Sequence, residues 1–439
     1  MPTLEASLPA PRLRIKVMEY EEKGIPLVVR GFHKLPGWED ALFTPEWLLE
    51  HSTGLNETIS VRNVYDKRDS EMPLPEFIER CKNITDIVPG GTQKERYYGK
   101  DGICPEQWEA WLSSSGVVPK QILPFSGDDA FRFIPKQCRA ETLMTYFGVG
   151  GTGTPCHKDL CASVGQNLMV HTENEGSAVW YMTLREDATS VSQYFRSLGQ
   201  EVDLETHVAS ELELKVAPFK VYMHRQERGD LICVPQKSCH QVINEGGISI
   251  KLSWSRMILS SLVMAYESEL PIYHRVCRPE IYSVKHLIHG AVMSGTKSLS
   301  EALSESDGDV TSRVCAMRDR LKPLVNAYTE IIVEGWDPQR KGEPQTWDPD
   351  GQTRISCDFC GAEIFQSYFE CRECDQEKKE SVSICSTCYV EGRSCVCDFM
   401  EPVTVQPFSL LLSVRNKAVD VLNRCLTEEE QLIPDYTHA

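Results

Sequence analysis

The feature that most restricts how this chain can fold is a run of four closely spaced cysteine pairs between residues 357 and 397. The pairs are Cys357 and Cys360, Cys371 and Cys374, Cys385 and Cys388, and Cys395 and Cys397. Two cysteines separated by two residues can bind the same metal ion, and eight thiolates are enough for two tetrahedral zinc ions. In so short a segment the metal would supply most of the folding free energy. The sequence therefore predicts a small module with two structural zinc ions over residues 355–400.

The rest of the composition is that of a globular protein in a reducing compartment. Hydrophobic residues make up 41% of the 439 residues and charged residues 25%. Concentrated cysteine pairs do not resemble the disulfide framework of a secreted protein. The opening segment MPTLEASLPAPRLRI lacks the apolar stretch of a secretory signal. No run approaches the roughly 18 apolar residues of a membrane span, so we expect an intracellular protein that does not bind membranes.

The chain is strongly acidic, with 46 lysines and arginines against 64 aspartates and glutamates and a net charge of −18. Nucleic-acid binding needs clustered cations, so strong direct binding to nucleic acid is not expected. The same charge suits a basic partner, such as a histone tail or another basic peptide. Two simpler interpretations stay open: the charge serves only solubility, and the zinc module only braces the helices around it.

The pattern of secondary structure predicts a β-rich domain followed by helices. Residues 24–32 and 58–65 resemble strands, and residues 72–82 a short helix. A helix is also predicted in TPEWLLEH, with Thr44 as its N-cap. Short strands dominate residues 141–262, which is typical of a sandwich or barrel, with a polar excursion at 185–215.

Helical periodicity follows over residues 269–334, and a segment rich in proline and glycine then predicts a linker. A last helix is indicated by Leu411, Val414, Ala418, Val421 and Cys425. The expected divisions are a β domain with its lead-in at 1–265, a helical extension at 266–334, a linker at 335–354, the zinc module at 355–400, and a C-terminal helix and tail at 401–439.

Two separated segments contain a candidate site for a redox-active metal. His157 and Asp159 are two residues apart, so on an extended chain both side chains lie on one face. His240 would have to come from a distant strand folded alongside. Two histidines and one carboxylate form a facial triad that holds a metal such as iron and leaves other coordination positions open. The His-x-Asp triplet alone is a weak signal, and its surroundings decide its weight.

Those surroundings resemble the JmjC-domain oxygenases. The run YFGVGGTGTPCHKDLCASVGQNLMV, residues 146–170, is similar to the first metal-binding segment of that family. The run GDLICVPQKSCHQVINEGGISIKLSW, residues 229–254, is similar to the second. The N-terminal runs GIPLVVRGF, EWLLEH and ISVRN also resemble the family's lead-in, so the resemblance covers roughly residues 20–265.

The resemblance implies a mainly β fold with flanking helices, built on a double-stranded β-helix of the cupin kind. It implies an enzyme that uses Fe(II), 2-oxoglutarate and O2 to hydroxylate a C–H bond. His157, Asp159 and His240 match the iron ligands of the family. Thr154 and Asn167 match residues beside the cosubstrate, and Tyr146 matches a residue that lines the methylammonium pocket of some demethylases. For these last three residues, ordinary packing in the barrel is the alternative.

The chain departs from the family at the cation that pairs with the far carboxylate of 2-oxoglutarate. Most members carry a lysine about 17 or 18 residues after the first histidine ligand, where this chain has Asn174 and Glu175. A dianion binds poorly without a cation, because its desolvation is costly. Lys251, eleven residues after His240, is the candidate substitute, and Arg256 is the second choice. A surface position for Lys251 is the alternative.

The order of the cysteine pairs resembles a cross-brace module of the ZZ type. That resemblance implies one zinc ion held by Cys357, Cys360, Cys385 and Cys388, and a second held by Cys371, Cys374, Cys395 and Cys397. A ZZ module normally closes with two histidines, whereas this segment closes with Cys395 and Cys397. A RING module would need a histidine among its middle ligands, and none occurs from 290 to 437, so ubiquitin ligation is not favoured.

The leading functional hypothesis is oxidative demethylation of a histone methyl-lysine, with release of formaldehyde from a hydroxylated N-methyl group. A protein side-chain hydroxylase is the second hypothesis. A catalytically silent chromatin scaffold is the third, which the absent lysine favours and the intact triad opposes. Chromatin proteins are then possible partners. A nuclear location follows only from the resemblance, since the sequence has no long basic localisation run.

Overall fold

The computed structural model describes residues 1–51, 58–84, 94–305, 311–335, 354–371, 373–374, 381–426 and 433–434. Backbone contacts divide the chain into two compact units. The β unit comprises residues 1–128 and 141–256, and the C-terminal unit comprises residues 129–140 and 257–439. Residues 336–353 of the predicted linker lie outside the described residues.

The β unit is built on two β-sheets whose strands are mostly antiparallel. Its strands are β1 Thr3–Glu5, β2 Leu27–Arg30, β3 Thr58–Asn63, β4 Asp69–Pro73, β5 Tyr97–Ile103, β6 Leu143–Gly148, β7 Gly153–His157, β8 Val164–Thr172, β9 Ser177–Thr183, β10 Val221–Gln226, β11 Leu231–Val234, β12 His240–Glu245 and β13 Ser249–Arg256. Among the described residues, nine strands form one sheet in the order β1-β2-β11-β8-β13-β6-β5-β3-β4. Four more form a second sheet in the order β10-β9-β12-β7.

The two sheets share an apolar core. Strands β8 and β11 of the larger sheet contribute Met169 and Ile232, and strands β9 and β12 of the smaller sheet contribute Trp180 and Val242. All four side chains are buried. Because side chains alternate along a strand, the opposite faces remain available for other contacts. The predicted β-rich fold is confirmed.

Helices flank the sheets of the β unit. They are α1 Ala10–Lys23, α2 Pro45–His51, α3 Leu74–Lys82, α4 Glu106–Ser114, α5 Ala188–Ser197 and α6 Glu211–Val216. The predicted N-cap is confirmed, since the Thr44 hydroxyl accepts a hydrogen bond from the backbone N–H of Trp47 at 3.1 Å. The predicted excursion at 185–215 contains α5 and most of α6 and has an apolar cluster of its own around Val191 and Phe195.

The C-terminal unit consists of helices and a small sheet. Its helices are α7 Leu259–Met264, α8 Leu270–Val276, α9 Val284–Glu305, α10 Ser312–Glu334, α11 Ser386–Val390 and α12 Phe408–Asn423, and a π-helical turn over Ala265–Glu269 joins α7 to α8. Its strands, β14 Ser367–Cys371, β15 Val382–Cys385 and β16 Glu401–Thr404, form a sheet in the order β15-β14-β16. The predicted last helix is confirmed as α12. Among the described residues, none of the helices has the length and apolar character needed to span a membrane.

A buried ion pair links the first helix of the β unit to its last strand. The Arg256 guanidinium donates to the Glu21 carboxylate and also to the Gln166 side-chain oxygen at 3.2 Å. Glu21 and Arg256 are 5% and 1% exposed, so neither charge is solvated. Burial raises the pKa of Glu21 although Arg256 lies against it. Each charge therefore offsets the free-energy cost of removing the other from water, and loss of either partner would leave the remaining charge buried without compensation.

Breaking this pair should destabilise the β unit strongly. We expect Arg256→Met to reduce the free energy of unfolding by about 3–5 kcal/mol, because the Glu21 charge would stay buried without its partner. The double variant Glu21→Leu/Arg256→Met should recover most of that loss. Equilibrium urea unfolding followed by tryptophan fluorescence measures both values.

The matched control is the exposed ion pair between Lys16 and Glu19, whose atoms are 2.8 Å apart and whose side chains are each 40% exposed. Lys16→Met should change stability by less than about 1 kcal/mol. A loss for Arg256→Met as small as that of the control would contradict the importance of the buried pair.

Candidate metal centre

Strand pairing in the smaller sheet brings the two predicted histidine ligands together. His157 is the last residue of β7, His240 is the first residue of β12, and the two are register partners in the antiparallel ladder. Their ring centroids are 4.2 Å apart. Asp159 Oδ1 lies 3.9 Å from His157 Nε2 and 3.8 Å from His240 Nε2. The three side chains thus form a triangle of the size that one metal ion can fill.

The second ring nitrogens of both histidines are directed at backbone carbonyls. His157 Nδ1 is 2.9 Å from the carbonyl oxygen of Pro155, and His240 Nδ1 is 3.1 Å from that of Ser238. A carbonyl can only accept, so these contacts favour the tautomer in which Nδ1 donates. Nε2 is then unprotonated and available as a ligand atom, the usual arrangement of metal-binding histidines.

Packing around the triad fixes its shape. The indole ring of Trp180 stacks against the His240 ring at 5.6 Å and 20°. Asp159 Oδ2 lies so close to the Cα of Gly165 that any side chain at that position would collide with it. Burial, together with the neighbouring His157, holds the pKa of His240 well below its usual range. A neutral His240 matches the form in which imidazole binds a metal.

A small polar cavity adjoins the triad. It is lined by the predicted residues Tyr146, Thr154, Asn167 and Lys251 as well as by Tyr98, Gln166, Trp180, Ser253 and Ser255. Lys251 is 1% exposed, so the alternative of a surface lysine is wrong. The ammonium group donates to Asn244 Oδ1. Burial lowers the pKa of Lys251 to about 7, so at neutral pH about half of the side chains carry the positive charge.

Side chains from four strands, including those of Lys251 and Thr154, form one hydrogen-bond network. The Tyr98 hydroxyl on β5 contacts both Thr154 and Asn244. The Asn244 amide on β12 donates to the Thr152 hydroxyl at 2.9 Å. This network orients Lys251 and the Thr154 hydroxyl in the same cavity.

The other two predicted residues also have polar partners. Asn167 Oδ1 accepts from Gln226 Nε2 at 3.2 Å, so one side of the amide is already engaged. The Tyr146 hydroxyl donates to Asp101 Oδ1 at 2.7 Å. Burial, and then the charge of Asp101, raises the pKa of Tyr146 well above its usual range. Tyr146 therefore stays protonated beside the exposed carboxylate of Asp101.

The positions that depart from the family pattern lie at a chain turn. Asn174 and Glu175, with φ of 48° and 59°, are in the turn that joins β8 to β9. Neither residue lines the cavity described above. Arg256, the second choice, is instead engaged by Glu21 and Gln166.

These donors fit a metal ion such as Fe(II) and a chelating 2-oxo acid. The triad offers two imidazole nitrogens and a carboxylate, which suit a metal of intermediate softness. Lys251 and the Thr154 hydroxyl are donors of the kind that bind the far carboxylate of a dicarboxylic acid. The residues present are thus compatible with both groups.

Sequence reasoning did not identify Tyr98, Asn244 and Asp101. Tyr98 and Asp101 are on β5, nearly sixty residues before His157, and no local motif marks them. Asn244 lies within the second metal-binding segment, residues 229–254, and its alternation with Val242 on β12 was the available signal.

Eight cysteines of the C-terminal unit, those between residues 357 and 397, form two clusters. Cys371, Cys374, Cys395 and Cys397 have sulfur atoms within 4.8 Å of one another. Cys360, Cys385 and Cys388 form the other cluster, in which the Cys360 and Cys385 sulfur atoms are 3.8 Å apart. The thiol of Cys357 contacts those of Cys360 and Cys385. The two clusters alternate along the chain, which is the cross-brace order, and both could bind zinc.

A histidine that the sequence did not single out lies at the first cluster. A ring nitrogen of His274, on α8, is within 4.8 Å of the sulfur atoms of Cys360, Cys385 and Cys388. His274 Nε2 is also 3.1 Å from Glu391 Oε1. His274 precedes the cysteine segment by more than eighty residues, so a search for histidines within that segment could not find it.

We expect metal analysis of the purified chain to give about two zinc ions per chain, since eight thiolates satisfy two ions at four each. Cys371→Ser should remove one of the two and lower the thermal stability of the C-terminal unit. The control is Cys315→Ser, a cysteine outside both clusters, which should leave two ions bound. A zinc-free chain that melts cooperatively would refute the assignment.

Comparison with known proteins agrees with this geometry. Residues 144–254, which include the whole triad, match the family model described as JmjC domain, hydroxylase. The chain is also 28% identical over 386 residues to C-module-binding factor A of Dictyostelium discoideum. That alignment covers 85% of this chain but 38% of the relative, so this chain spans well under half of that protein's length. The match to the family model and the convergence of His157, Asp159 and His240 identify residues 144–254 as a JmjC domain, with a cysteine-rich C-terminal unit that could bind zinc.

Proposed function

We propose that this chain is an Fe(II)- and 2-oxoglutarate-dependent oxygenase that demethylates N-methyl-lysine in a histone tail or another basic peptide. The observation that carries the proposal is the meeting of the histidine–aspartate triad with a polar cavity that contains a buried lysine. A triad alone would suit many metals. A buried cation beside the triad adds a reason for an anionic cosubstrate to bind there.

The residues of the chain have separate tasks in this proposal. His157, Asp159 and His240 would hold iron, which when bound supplies the activation of O2. Lys251 would bind the far carboxylate of 2-oxoglutarate by a charge-assisted hydrogen bond, and Thr154 would add a neutral donor. Asn244 and Tyr98 orient these two groups through the hydrogen bonds described above. The protein thereby fixes the positions of the reactants, which lowers the entropic part of the barrier.

A cationic substrate is favoured by Tyr146 and Asp101. The Tyr146 ring lines the cavity, and its hydroxyl donates to the Asp101 carboxylate. An aromatic face and a carboxylate together attract an alkylammonium group. Methyl-lysine presents such a group, and its N-methyl carbon is the one that demethylation must bring to the triad. The acidic net charge of the chain further favours a basic peptide.

The second candidate is a catalytically silent chromatin scaffold. It is favoured by the engagement of Lys251 with Asn244 and by the pKa near 7, which leaves part of the population without the cation at neutral pH. The relative named C-module-binding factor A is named for binding rather than for turnover. A nuclear location accompanies both candidates as part of the proposal.

Turnover on methylated peptides separates these candidates. Purified chain should remove methyl groups from a methylated histone peptide in the presence of Fe(II) and 2-oxoglutarate and release formaldehyde, both measured by mass spectrometry. A stable product that has gained oxygen, without formaldehyde, would indicate a side-chain hydroxylase instead. Failure to bind 2-oxoglutarate would favour the scaffold.

Asp159→Ala should abolish the consumption of 2-oxoglutarate, because two imidazoles alone do not complete the triad. The fold should survive, since Asp159 is not part of the apolar core. The control is Asp66→Ala, an exposed aspartate in the same unit, which should consume 2-oxoglutarate at the normal rate. Normal turnover by Asp159→Ala would contradict the role of the triad.

Lys251→Ala should raise the concentration of 2-oxoglutarate needed for half-saturation about ten- to a hundredfold, the effect of losing a hydrogen bond to a charged group. Iron binding should change little, because Lys251 is not a member of the triad. An unchanged requirement would reject the role of Lys251.

Binding of 2-oxoglutarate should also depend on pH. Burial lowers the pKa of Lys251 to about 7, so the ammonium form is present below that pH and is lost as the pH rises above it. Affinity measured by calorimetry should therefore fall about tenfold per unit above pH 7. Lys251→Arg, in which the guanidinium stays charged, should flatten this dependence. A flat profile in the unmodified chain would show that the lysine charge is not needed.

A further inference from the structure

The C-terminal unit contains a cavity of about 430 Å³ that the proposed oxygenase reaction does not use. Its walls come from the turn at 265–269, from α8, from the end of α10 and from residues 360–367 and 385–387 near the first cysteine cluster. A volume of this size is within the range of pockets that accept a ligand. The cavity therefore has room for a long side chain or a short peptide segment.

The lining of the cavity is acidic and partly aromatic. Five glutamates, Glu267, Glu280, Glu330, Glu334 and Glu363, face it against two permanently charged cations, Arg278 and Lys285. Both cations are already engaged: Lys285 Nζ lies 3.3 Å from Glu334, and the Arg278 guanidinium lies over the Tyr273 ring at 5.0 Å. Glu363 is paired with His286 at 3.1 Å, and burial raises the pKa of Glu280 to about 7. The surplus of negative charge in the lining therefore lies mainly on the exposed Glu267 and Glu330.

The surplus is concentrated beside one tyrosine. Tyr266, Glu330 and Glu334 line the same cavity. Burial, with the charges of Glu334 and Glu330, raises the pKa of Tyr266. Glu330 is exposed, so a ligand can reach it from solvent. Glu334 is the last residue of α10, and the carbonyl end of a helix favours positive charge. An aromatic ring next to carboxylates and a helix C-terminus is an environment for a cation.

A buried acceptor without a partner points to the same ligand. Gln366 is 5% exposed and lines the cavity, and within the described part of the chain its Oε1 accepts no hydrogen bond. A side chain added at Gly335 would approach this oxygen to 3.1 Å, so Oε1 lies at the end of α10, next to Glu334. A buried carbonyl oxygen that lacks a donor is costly. A ligand carrying N–H donors would satisfy it.

We propose that this cavity binds a cationic side chain, lysine or arginine, of a basic peptide. The ammonium or guanidinium group would donate to Gln366 Oε1 and to the carboxylates of Glu330 and Glu334, over the ring of Tyr266. This site is separate from the JmjC domain and does not rest on the proposed demethylation. If both proposals hold, the chain has two separate sites for basic peptides.

The test measures peptide binding to the full zinc-loaded chain, without iron or 2-oxoglutarate, by fluorescence anisotropy. Three labelled peptides of the same sequence carry lysine, arginine or the neutral isostere norleucine at the basic positions. The lysine or the arginine peptide should bind at least tenfold more tightly than the norleucine peptide, and the difference between the first two identifies the preferred cation. Equal binding of all three peptides would overturn the proposal.

Variants locate the binding site. Glu330→Gln and Gln366→Leu should each weaken binding of the preferred peptide about tenfold, the effect of losing a hydrogen bond to a charged group. Glu301→Gln removes the same charge from an exposed position on α9 outside the cavity and should leave binding unchanged. Zinc content and the melting temperature verify the fold of Gln366→Leu. Glu330→Gln changes an exposed position and so tests the same site without altering the core.

Asp101→Asn distinguishes this site from the proposed active site, because Asp101 is the carboxylate that would attract a cationic substrate there. Binding of the unmethylated peptide should be the same in Asp101→Asn as in the unmodified chain, whether or not the chain is a demethylase. Loss of binding in Asp101→Asn, with normal binding in Glu330→Gln and Gln366→Leu, would overturn the proposal and place the peptide at the cavity beside the metal centre.

Discussion

The geometry of the metal centre depends on the pairing of β7 with β12. This ladder places His157 directly opposite His240, and a shift of one residue would turn one of the two side chains to the other face of the sheet. Gly153 fixes the approach of the two strands, since a side chain there would collide with the carbonyl of Val242. The register shifts between His240 and Val242, so an irregularity in the ladder separates the His157–His240 pair from the rest of the pairing.

Next to this ladder the chain buries the ammonium group of Lys251, at a position where an apolar side chain would avoid the free-energy cost of removing a charge from water. Lys251 lies on β13, between β6 and β8, and burial lowers its pKa to about 7. A stability argument alone does not explain such a residue, because desolvating a charge opposes folding. Gly148 leaves room for the Asn244 side chain that accepts from Lys251, so the backbone of β6 is adapted to the contact as well. Binding of an anion would explain why the charge is kept.

The sequence predicted the parts of this site that depend on local spacing. His157 and Asp159 share a face because alternate residues of an extended chain do, and the segment around His240 was recognisable by its neighbours. The sequence could not predict whether the Lys251 side chain points into the barrel. A Gly-Gly turn separates Lys251 from His240, and the alternation of side chains along a strand cannot be counted through a turn. In the structure the register of β13 on β8 also shifts between Ile250 and Lys251, which no residue count would reveal. Tyr98, Asp101 and His274 come from pairings and packing that are distant in sequence, and a single chain carries no local signal of them.

The C-terminal unit also depends on contacts between residues that are distant in sequence. There the Glu280 carboxylate, rather than a strand ladder, makes these contacts. The Glu280 side chain accepts from the backbone N–H of Val284, at the start of α9, at 2.9 Å. It also accepts from the backbone N–H of Glu363, beyond the first cysteine pair, at 3.2 Å. Its own backbone N–H donates to the carbonyl of Gly361 at 2.9 Å.

Glu280 therefore ties the helices to the segment that carries Cys360. Burial and the neighbouring Glu363 raise the pKa of Glu280 to about 7, because both disfavour the charged form of the carboxyl group. Gly361, with φ of 71°, is needed at the junction because a side chain there would collide with Pro279. Since this segment also lines the acidic cavity, the position of the cysteine cluster and the shape of the cavity are set by the same few contacts. If the cluster binds zinc, loss of the ion would then alter the cavity as well.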